Sequence, residues 1–240
     1  YRVLMNAIQQ YRARSILCLF DTLGVMAENI GAAIGEGPLP GIYVPPILKR
    51  WNDIGRENPM DRSLLPLMEC LGSITVACGM NYQPWAVETF EMAMSTIEGC
   101  MMIISHYNDL SDVDDELADP MICAIDLIDG LIEGLGSNFA TLVAGSARFG
   151  PTFPNLLQQI VAHDIPGVRI SAFAVLGDLA RQAPTLIETG LPMLLSEAIS
   201  SIDPTHPAVC NNSLWALGEI CVRCGGNDAP LTPHAEDFLQ

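Results

Sequence analysis

Apolar residues recur along this chain at the three- and four-residue spacing of α-helices, and alternating, strand-like stretches are nearly absent. Clusters of Pro, Gly, Asn and Asp interrupt the apolar runs, for example GEGPLPG at 35–41, GMNYQP at 79–84 and HDIPGV at 163–168. Between the clusters lie predicted helices of about 12–25 residues. The pattern therefore predicts an all-α protein.

The predicted helices form pairs with a period of roughly 40–55 residues, which is the spacing of HEAT-type repeats. Because stacked pairs contact only their neighbours, we predict a superhelical solenoid of antiparallel helix pairs, forming a single array over 1–240. We expect this array to be a fragment of a longer protein. The predicted repeats are 1–34, 37–80, 82–148, 151–182 and 184–224, with the start of another at 229–240.

The second helices of successive pairs repeat an acidic position. LFDTLGVMAENIG and AIDLIDGLIEGLG superimpose without gaps, and PLMECLGSITVACG is a further copy. SAFAVLGDLAR and NSLWALGEICVR superimpose on Leu-Gly followed by an acid. The aligned acids are Asp21 with Glu69 and Asp126, Glu28 with Glu133, and Asp178 with Glu219.

These acids are predicted to form one acidic track. Residues seven apart lie on one side of a helix, and the second helices of a solenoid commonly line one face. A solvated face would usually mix cations with its acids, because mixed pairs stabilise helices. Here Arg181 and Arg223 stand only near helix ends, which favours a basic ligand over an ordinary solvated face. The predicted track comprises Asp21, Glu28, Glu69, Asp126, Glu133, Asp178 and Glu219.

Trp215 lies one helical turn before Glu219, and Asn211 lies one turn before Trp215. A tryptophan is more often part of the core. A half-exposed ring beside a carboxylate and an amide would nevertheless suit an extended peptide, since the ring contacts an apolar side chain and the amide pairs with the peptide backbone. We therefore include Asn211 and Trp215 among the candidate binding residues.

The charge balance limits the classes of partner. The 28 Asp and Glu residues exceed the 11 Lys and Arg residues, giving a formal charge of −17. A field of that sign repels nucleic acid and anionic membranes and favours basic partners. Charged residues or Pro interrupt every apolar run before it reaches the roughly 18–20 residues of a membrane span. We expect binding neither to nucleic acid nor to a membrane.

The sequence offers no motif for catalysis or metal binding. The eight cysteines lie mostly within apolar runs, as small buried residues do. Cys221 and Cys224 form one CxxC without a second pair at zinc spacing. A phosphate loop, GxSxG and HExxH are all absent. We therefore predict that the chain is not an enzyme, with no catalytic residue, no metal and no cofactor.

Several blocks, in order and at consistent spacing, resemble the transportins, which are importin-β-type (karyopherin) nuclear import receptors built of HEAT repeats. The blocks are LFDTLGVMAENIG, VPPILKRWNDI, LLPLMECLGSI, DLIDGLIEGLGSNFATLVAGS, SAFAVLGDLAR and VCNNSLWALGEI. The resemblance covers nearly the whole chain and implies a piece of the C-terminal-half arch, where the family binds cargo. The nuclear localisation signals of such cargo are disordered, basic segments that end in an Arg and a Pro-Tyr.

The resemblance also implies roles for individual residues. By position, the acidic cargo contacts of the family fall on Asp21, Glu28, Glu69, Asp126, Glu133 and Asp178. The contacts for the upstream apolar part of the signal fall on Asn211 and Trp215. Glu28 is longer than the Asp expected there, and Pro207 stands where an apolar contact residue is expected.

The implied partners are cargo proteins, such as RNA-binding proteins, together with the GTPase Ran and nucleoporins through the full-length receptor. The implied location is the cytoplasm and nucleus, with shuttling through the nuclear pore. The alternative is a HEAT-repeat scaffold that holds other proteins together without a role in transport. A scaffold would not need a track of one charge sign with a Trp at its end.

Overall fold

The structure, a computed structural model, describes residues 2–12, 14–58, 61–106 and 115–224. These residues form α-helices and short 3-10 helices and contain no strand, so the all-α prediction is confirmed. The predicted start of a further repeat at 229–240 lies outside the described residues.

The chain divides into two compact units, Tyr1–Leu135 and Gly136–Gln240. The helices of the first unit are α1 (Arg2–Gln10), α2 (Arg14–Ile30), α3 (Leu39–Glu57), α4 (Leu64–Cys78), α5 (Gln83–Ile104) and α6 (Asp115–Leu135). Those of the second are α7 (Asn138–Gly145), α8 (Phe153–Val161), α9 (Pro166–Gln182), α10 (Leu191–Ser200) and α11 (Pro207–Cys224). The boundary between the units falls inside the predicted repeat 82–148, and the division into five repeats stays a prediction.

Proline and glycine set many helix ends. Proline occupies the first turn of α3, α5, α8, α9 and α10, where its missing N–H would have no helical partner. Gly31, Gly79 and Gly136 directly follow α2, α4 and α6, with φ of 59°, 53° and 55°. Because L side chains rarely adopt positive φ, these glycines end the three helices at equivalent places.

The first unit consists of two layers of helices. In one layer α4 packs between α2 and α6; we call it the α2–α4–α6 layer. In the other, α3 packs against α4, and α5 packs against α6. Phe20, Ile47, Leu71, Phe90 and Leu131 are fully buried between the helices. Burial of this apolar surface is the main stabilising contribution of the unit.

Small residues bring the backbones of the α2–α4–α6 layer into close contact. A Cβ atom added at Gly134 of α6 would lie 2.5 Å from the carbonyl oxygen of Thr75 in α4. One at Gly130 would lie 3.2 Å from the carbonyl oxygen of Gly72, and one at Gly24 would lie 3.4 Å from Cα of Cys70. These contacts leave no room for a larger residue at Gly134, because the opposing atom belongs to the backbone.

The second unit is built around the contact of α9 with α11, and α8 and α10 pack on these two helices. The rings of Phe139 and Phe153 meet edge to face with centroids 5.9 Å apart. The buried hydroxyl of Ser213 donates a hydrogen bond to the carbonyl oxygen of Ala198, which joins α11 to α10.

Two helical segments, Arg14–Gly35 and Leu64–Ile104, are long and apolar enough to cross a membrane by length and composition alone. The sequence criterion that excluded every such segment was therefore too strict. Core helices of water-soluble proteins pass the same test, so the finding is weak evidence for a span. Both segments contribute buried side chains to the first unit, among them Phe20 and Leu71.

The close contact at Gly134 leads to a stability prediction. Gly134→Ala should lower the free energy of unfolding by about 1–3 kcal/mol, because the new methyl group would push α6 away from the backbone of α4. Urea unfolding followed by circular dichroism measures the change.

Gly99, in the interior of α5, provides the matched control. A Cβ atom there would meet no atom within 4 Å. Gly99→Ala should therefore raise stability by up to about 1 kcal/mol, through the lower entropy of the unfolded chain. Equal effects of the two substitutions would show that close helix contact is not the cause.

Candidate functional site

Five carboxylates line one surface groove of about 440 Å³ in the first unit, which we call the acidic groove. Its acids come from all three helices of the α2–α4–α6 layer. They are Glu28 of α2, Glu69 of α4, and Asp126, Asp129 and Glu133 of α6.

Small residues make up part of the lining of the acidic groove. Ala27, Gly31, Gly72, Ala77 and Gly130 all line it. The contact between Gly72 and Gly130 is also where the backbones of α4 and α6 approach closely. The small residues at these positions let the carboxylates of neighbouring helices come together.

The carboxylates interact through repulsion. The pKa of Glu69 is raised, first by desolvation and then by the negative charges of Asp21 and Asp126. Asp21 therefore lies close enough to act on the groove, although it does not line the groove itself. A raised pKa means that ionised Glu69 costs free energy in the absence of a ligand. A bound cation would offset this cost.

Two neutral side chains position the groove acids. The hydroxyl of Ser73 donates to Oε1 of Glu28 at 2.9 Å, so it holds an acid of α2 against α4. The thiol of Cys123 points towards Oε1 of Glu69, with Sγ 3.9 Å away. Desolvation, followed by the charges of Glu69, Asp126 and Asp119, raises the pKa of Cys123 to about 12. At neutral pH this thiol is therefore protonated and acts as a weak hydrogen-bond donor.

The acids of the second unit are in a different environment. Oδ1 of Asp178 lies 3.2 Å from Nη1 of Arg181, and Oε2 of Glu219 lies 3.8 Å from Nε of Arg223. The two arginines that sequence reasoning placed at helix ends thus form ion pairs with the predicted site acids. A ligand cation at Asp178 or Glu219 would have to compete with the arginine on the same helix as that acid.

Trp215 has one covered face and one accessible side. Its ring lies directly on Gly177 of α9, where a Cβ atom would clash with the indole. The residue as a whole is 36% exposed. The missing side chain at Gly177 therefore creates the space for the indole, and the remaining surface of Trp215 is available to a ligand.

The two asparagines before Trp215 differ in role. Asn211 is exposed and its amide lies 3.4 Å from Oδ1 of Asn212. Asn212 donates from Nδ2 to the carbonyl oxygen of Ile170 at 3.0 Å, which joins α11 to α9. Asn212 thus has a structural bond, whereas Asn211 presents its side chain at the surface.

The nine predicted site residues fall into two groups. Glu28, Glu69, Asp126 and Glu133 line the acidic groove, and Asp21 adjoins it. Asp178, Asn211, Trp215 and Glu219 lie on α9 and α11 of the second unit.

Sequence reasoning did not identify Ser73 and Cys123 as groove residues. Ser73 stands four residues after Glu69, and Cys123 stands three before Asp126, so helical spacing puts both beside predicted acids. Among the residues that the structure describes, no group of three or more His, Cys, Asp or Glu side chains converges as metal ligands do. The groove acids come instead from three helices, which suits several cationic side chains of one extended ligand.

Comparisons with known proteins give relatives over nearly the whole chain. No profile of a known protein family matches it. The chain is 30% identical over 233 residues to transportin-1 of Homo sapiens, which covers 96% of this chain and 25% of that protein. It is 30% identical over 238 residues to transportin-1 of Oryza sativa subsp. japonica, covering 95% and 25%.

A further relative has a different name. The chain is 27% identical over 221 residues to importin subunit beta-2 of Schizosaccharomyces pombe, covering 91% of this chain and 24% of that protein. The chain thus spans about a quarter of the length of the curated relatives it matches. By these matches, together with its all-helical structure, the chain is a homologue of the transportins and of importin subunit beta-2.

Proposed function

We propose that this chain is the cargo-binding part of a nuclear import receptor and that it binds basic, disordered nuclear localisation signals of the Pro-Tyr type. The observation that carries the proposal is the acidic groove, in which five carboxylates from three helices line one surface. The homology to transportins and importin subunit beta-2 supports a role in import.

Lys and Arg side chains of the signal pair with the carboxylates of the acidic groove. Each exposed pair contributes only about 0.2–1 kcal/mol, so no single acid is decisive. Desolvation and then the charges of Asp21 and Asp126 raise the pKa of Glu69, and binding of a cation relieves the repulsion among these charges. Summed over several pairs, the gain offsets the entropy that a disordered segment loses when it becomes ordered.

The second unit contributes contacts of another kind. The exposed surface of Trp215 takes an apolar side chain from the upstream part of the signal, and the exposed amide of Asn211 pairs with the peptide backbone. Asp178 and Glu219 contribute less than the acids of the groove, because each already has an arginine partner on its own helix.

In the full-length receptor, binding of Ran and of nucleoporins completes the transport cycle, and the receptor shuttles between cytoplasm and nucleus. The cargo proteins include RNA-binding proteins that carry a basic signal. A scaffold without a transport role would have no preference for such signals, so peptide binding distinguishes the two functions.

The acidic groove provides the first test. Asp126→Lys combined with Glu133→Lys should weaken binding of a fluorescein-labelled basic Pro-Tyr peptide at least tenfold, or about 1.4 kcal/mol. Stability should stay unchanged or rise, because the double variant relieves repulsion between like charges. Affinity of the unmodified chain should also fall steeply with salt, since exposed charges are screened beyond about 8 Å at physiological ionic strength.

The control for this test is Glu57→Lys combined with Glu88→Lys. These two acids are exposed on α3 and α5, outside the acidic groove, and give the same change of net charge. They should weaken peptide binding far less. Equal losses in both double variants would mean that overall charge, and not the groove, determines affinity.

The raised pKa of Glu69 predicts the pH dependence of binding. As pH falls through this pKa, Glu69 gains a proton before an ordinary glutamate does, and affinity for the basic peptide should fall with it. Glu69→Gln should weaken binding at neutral pH and remove this part of the pH profile, measured by fluorescence anisotropy.

Glu69→Gln should also stabilise the free chain. A carboxyl group whose pKa is higher in the folded than in the unfolded state lowers stability at any pH above the folded pKa. That penalty is relieved as pH falls towards the ordinary glutamate pKa. The gain in melting temperature from Glu69→Gln should therefore be largest near neutral pH and shrink on acidification. A gain that is independent of pH would contradict this account.

Trp215→Ala tests the contact in the second unit. It should weaken the binding of cargoes that have an apolar upstream segment by about 1–3 kcal/mol. The binding of purely basic peptides should be nearly unaffected. The loss of stability caused by Trp215→Ala should be smaller than the roughly 3–5 kcal/mol expected when a fully buried aromatic residue is replaced by Ala.

Phe173→Ala, at a fully buried ring of α9, supplies that reference in the same unit. Thermal melting of both variants measures the loss of stability, and peptide titration measures the loss of binding. If Trp215→Ala unfolds the chain as much as Phe173→Ala does, the tryptophan belongs to the core.

A further inference from the structure

The three helices of the α2–α4–α6 layer are parallel, so residues that align in sequence lie close together across the layer. The evidence is a set of contacts that advance in the same direction along both partners. They join Gly24 to Cys70, Glu28 to Ser73, Gly72 to Gly130 and Gly134 to Thr75. Antiparallel helices would instead show contacts that advance along one partner and recede along the other.

Two rows of exposed positions cross this layer, seven residues apart on each helix. The first row has an acid on every helix, namely Asp21, Glu69 and Asp126. The second row, which we call the Val76 row, consists of Glu28 on α2, Val76 on α4 and Glu133 on α6. Five of the six equivalent positions are therefore acidic, and the sixth is apolar.

Val76 exposes an apolar side chain at a position where both neighbouring helices carry a carboxylate. The residue is 39% exposed and lines the acidic groove together with Glu28 and Glu133. Valine loses side-chain freedom in a helix, so Ala or Gln would favour the helical conformation more. Helix formation and solvation therefore do not account for the valine.

Repulsion between acids does not require a valine either. In the first row, desolvation and then the charges of Asp21 and Asp126 raise the pKa of Glu69, yet all three acids are present. A neutral polar residue in place of Val76 would relieve repulsion in the second row without exposing apolar surface. What valine adds is a surface on which an apolar side chain of a ligand can leave water.

The distance between the helices sets the spacing of side chains along such a ligand. Packed helices lie about 8–10 Å apart. A disordered segment in the polyproline II conformation advances about 3.1 Å per residue with three residues per turn, so every third side chain points to one side at intervals of about 9 Å. A segment that crosses α2, α4 and α6 can therefore place every third side chain on the next helix of the Val76 row.

We propose that the acidic groove selects basic segments in which an apolar residue such as Leu lies midway between two Lys or Arg residues, three positions from each. The apolar residue packs on Val76, and the basic residues pair with Glu28 and Glu133. Ser73 donates to Glu28 at 2.9 Å and so holds this acid against α4, the helix that carries Val76. This selectivity rests on the proposed function, since it concerns the same groove and the same class of ligand.

Three fluorescein-labelled variants of the basic Pro-Tyr peptide test the proposal on the purified chain. Each contains two Arg residues six positions apart. The midway residue is Leu in the first peptide and Ser in the second, and the third peptide has the Leu next to one Arg and Ser midway. The first peptide should bind at least about threefold more tightly than the others, as expected when one or two methylene groups leave water. Equal affinities of the first and second peptides in fluorescence anisotropy would overturn the proposal.

Val76→Ser should remove the preference for Leu over Ser at the midway position. Val25→Ser is the matched control, because Val25 is exposed on α2 of the same layer and does not line the groove. This control should keep the preference. An equal loss in the two variants would overturn the proposal. If Val76→Ser lost its helical circular dichroism, Val76→Ala would replace it, and an undiminished preference in that variant would also overturn the proposal.

Val76→Glu provides a test by gain of function. It places a third acid in the Val76 row, so a fourth peptide with Arg at the midway position should gain affinity relative to the Leu peptide. The ratio of the two affinities should change by at least about threefold from that of the unmodified chain, since one contact is lost and an ion pair is gained. An unchanged ratio would contradict the assignment of the midway residue to position 76.

The same titrations separate this selectivity from the proposed function. If Asp126→Lys with Glu133→Lys weakens the binding of every basic peptide while the midway residue has no effect, the groove binds basic segments and the selectivity alone is wrong. If the unmodified chain shows no saturable binding of any of the four peptides, both proposals are wrong.

Discussion

The close approach of α4 to α2 and α6 is the constraint on which the first unit depends. The approach occurs where Gly24, Gly130 and Gly134 leave space for the neighbouring backbone. A larger residue at Gly134 would meet the carbonyl oxygen of Thr75, which cannot move without moving α4. Gly130 also lines the acidic groove, so the contact that brings α6 to α4 also brings their carboxylates together. Helix packing and the position of the carboxylates are thus one feature of the structure.

The acids of the two units have different surroundings. In the acidic groove, repulsion from Asp21 and Asp126 contributes to the raised pKa of Glu69. In the second unit, Asp178 and Glu219 are each held by an arginine one helical turn away. Like charges in close array lower the stability of a free protein, whereas local ion pairs add little to it. The first arrangement gains most when a cation binds, and the second is largely satisfied without one.

Much of this could be predicted from the sequence, because local patterns determine it. Helical periodicity predicted the all-α structure, and the superposition of the second helices aligned Gly31 with Gly136 as well as the acids. Four predicted acids do line one groove. The contact of Trp215 with Gly177 and the hydrogen bond from Asn212 to Ile170 could not be predicted, since each joins residues that are distant in sequence. Arg181 and Arg223 stand near helix ends, as the sequence analysis placed them, and helical geometry brings each within reach of an acid.

The protonation state of the Cys123 thiol affects how readily this residue of the acidic groove is oxidised. With a pKa of about 12, only a fraction on the order of 10⁻⁵ of this thiol is ionised at neutral pH. Peroxides and alkylating agents react with the thiolate, and the surrounding carboxylates repel anionic oxidants such as peroxynitrite as well. A cysteine at the edge of a ligand-binding surface would ordinarily be a point of oxidative damage. Here burial, followed by the charges that attract a basic ligand, keeps the thiol of Cys123 protonated and so lowers its reactivity towards oxidants.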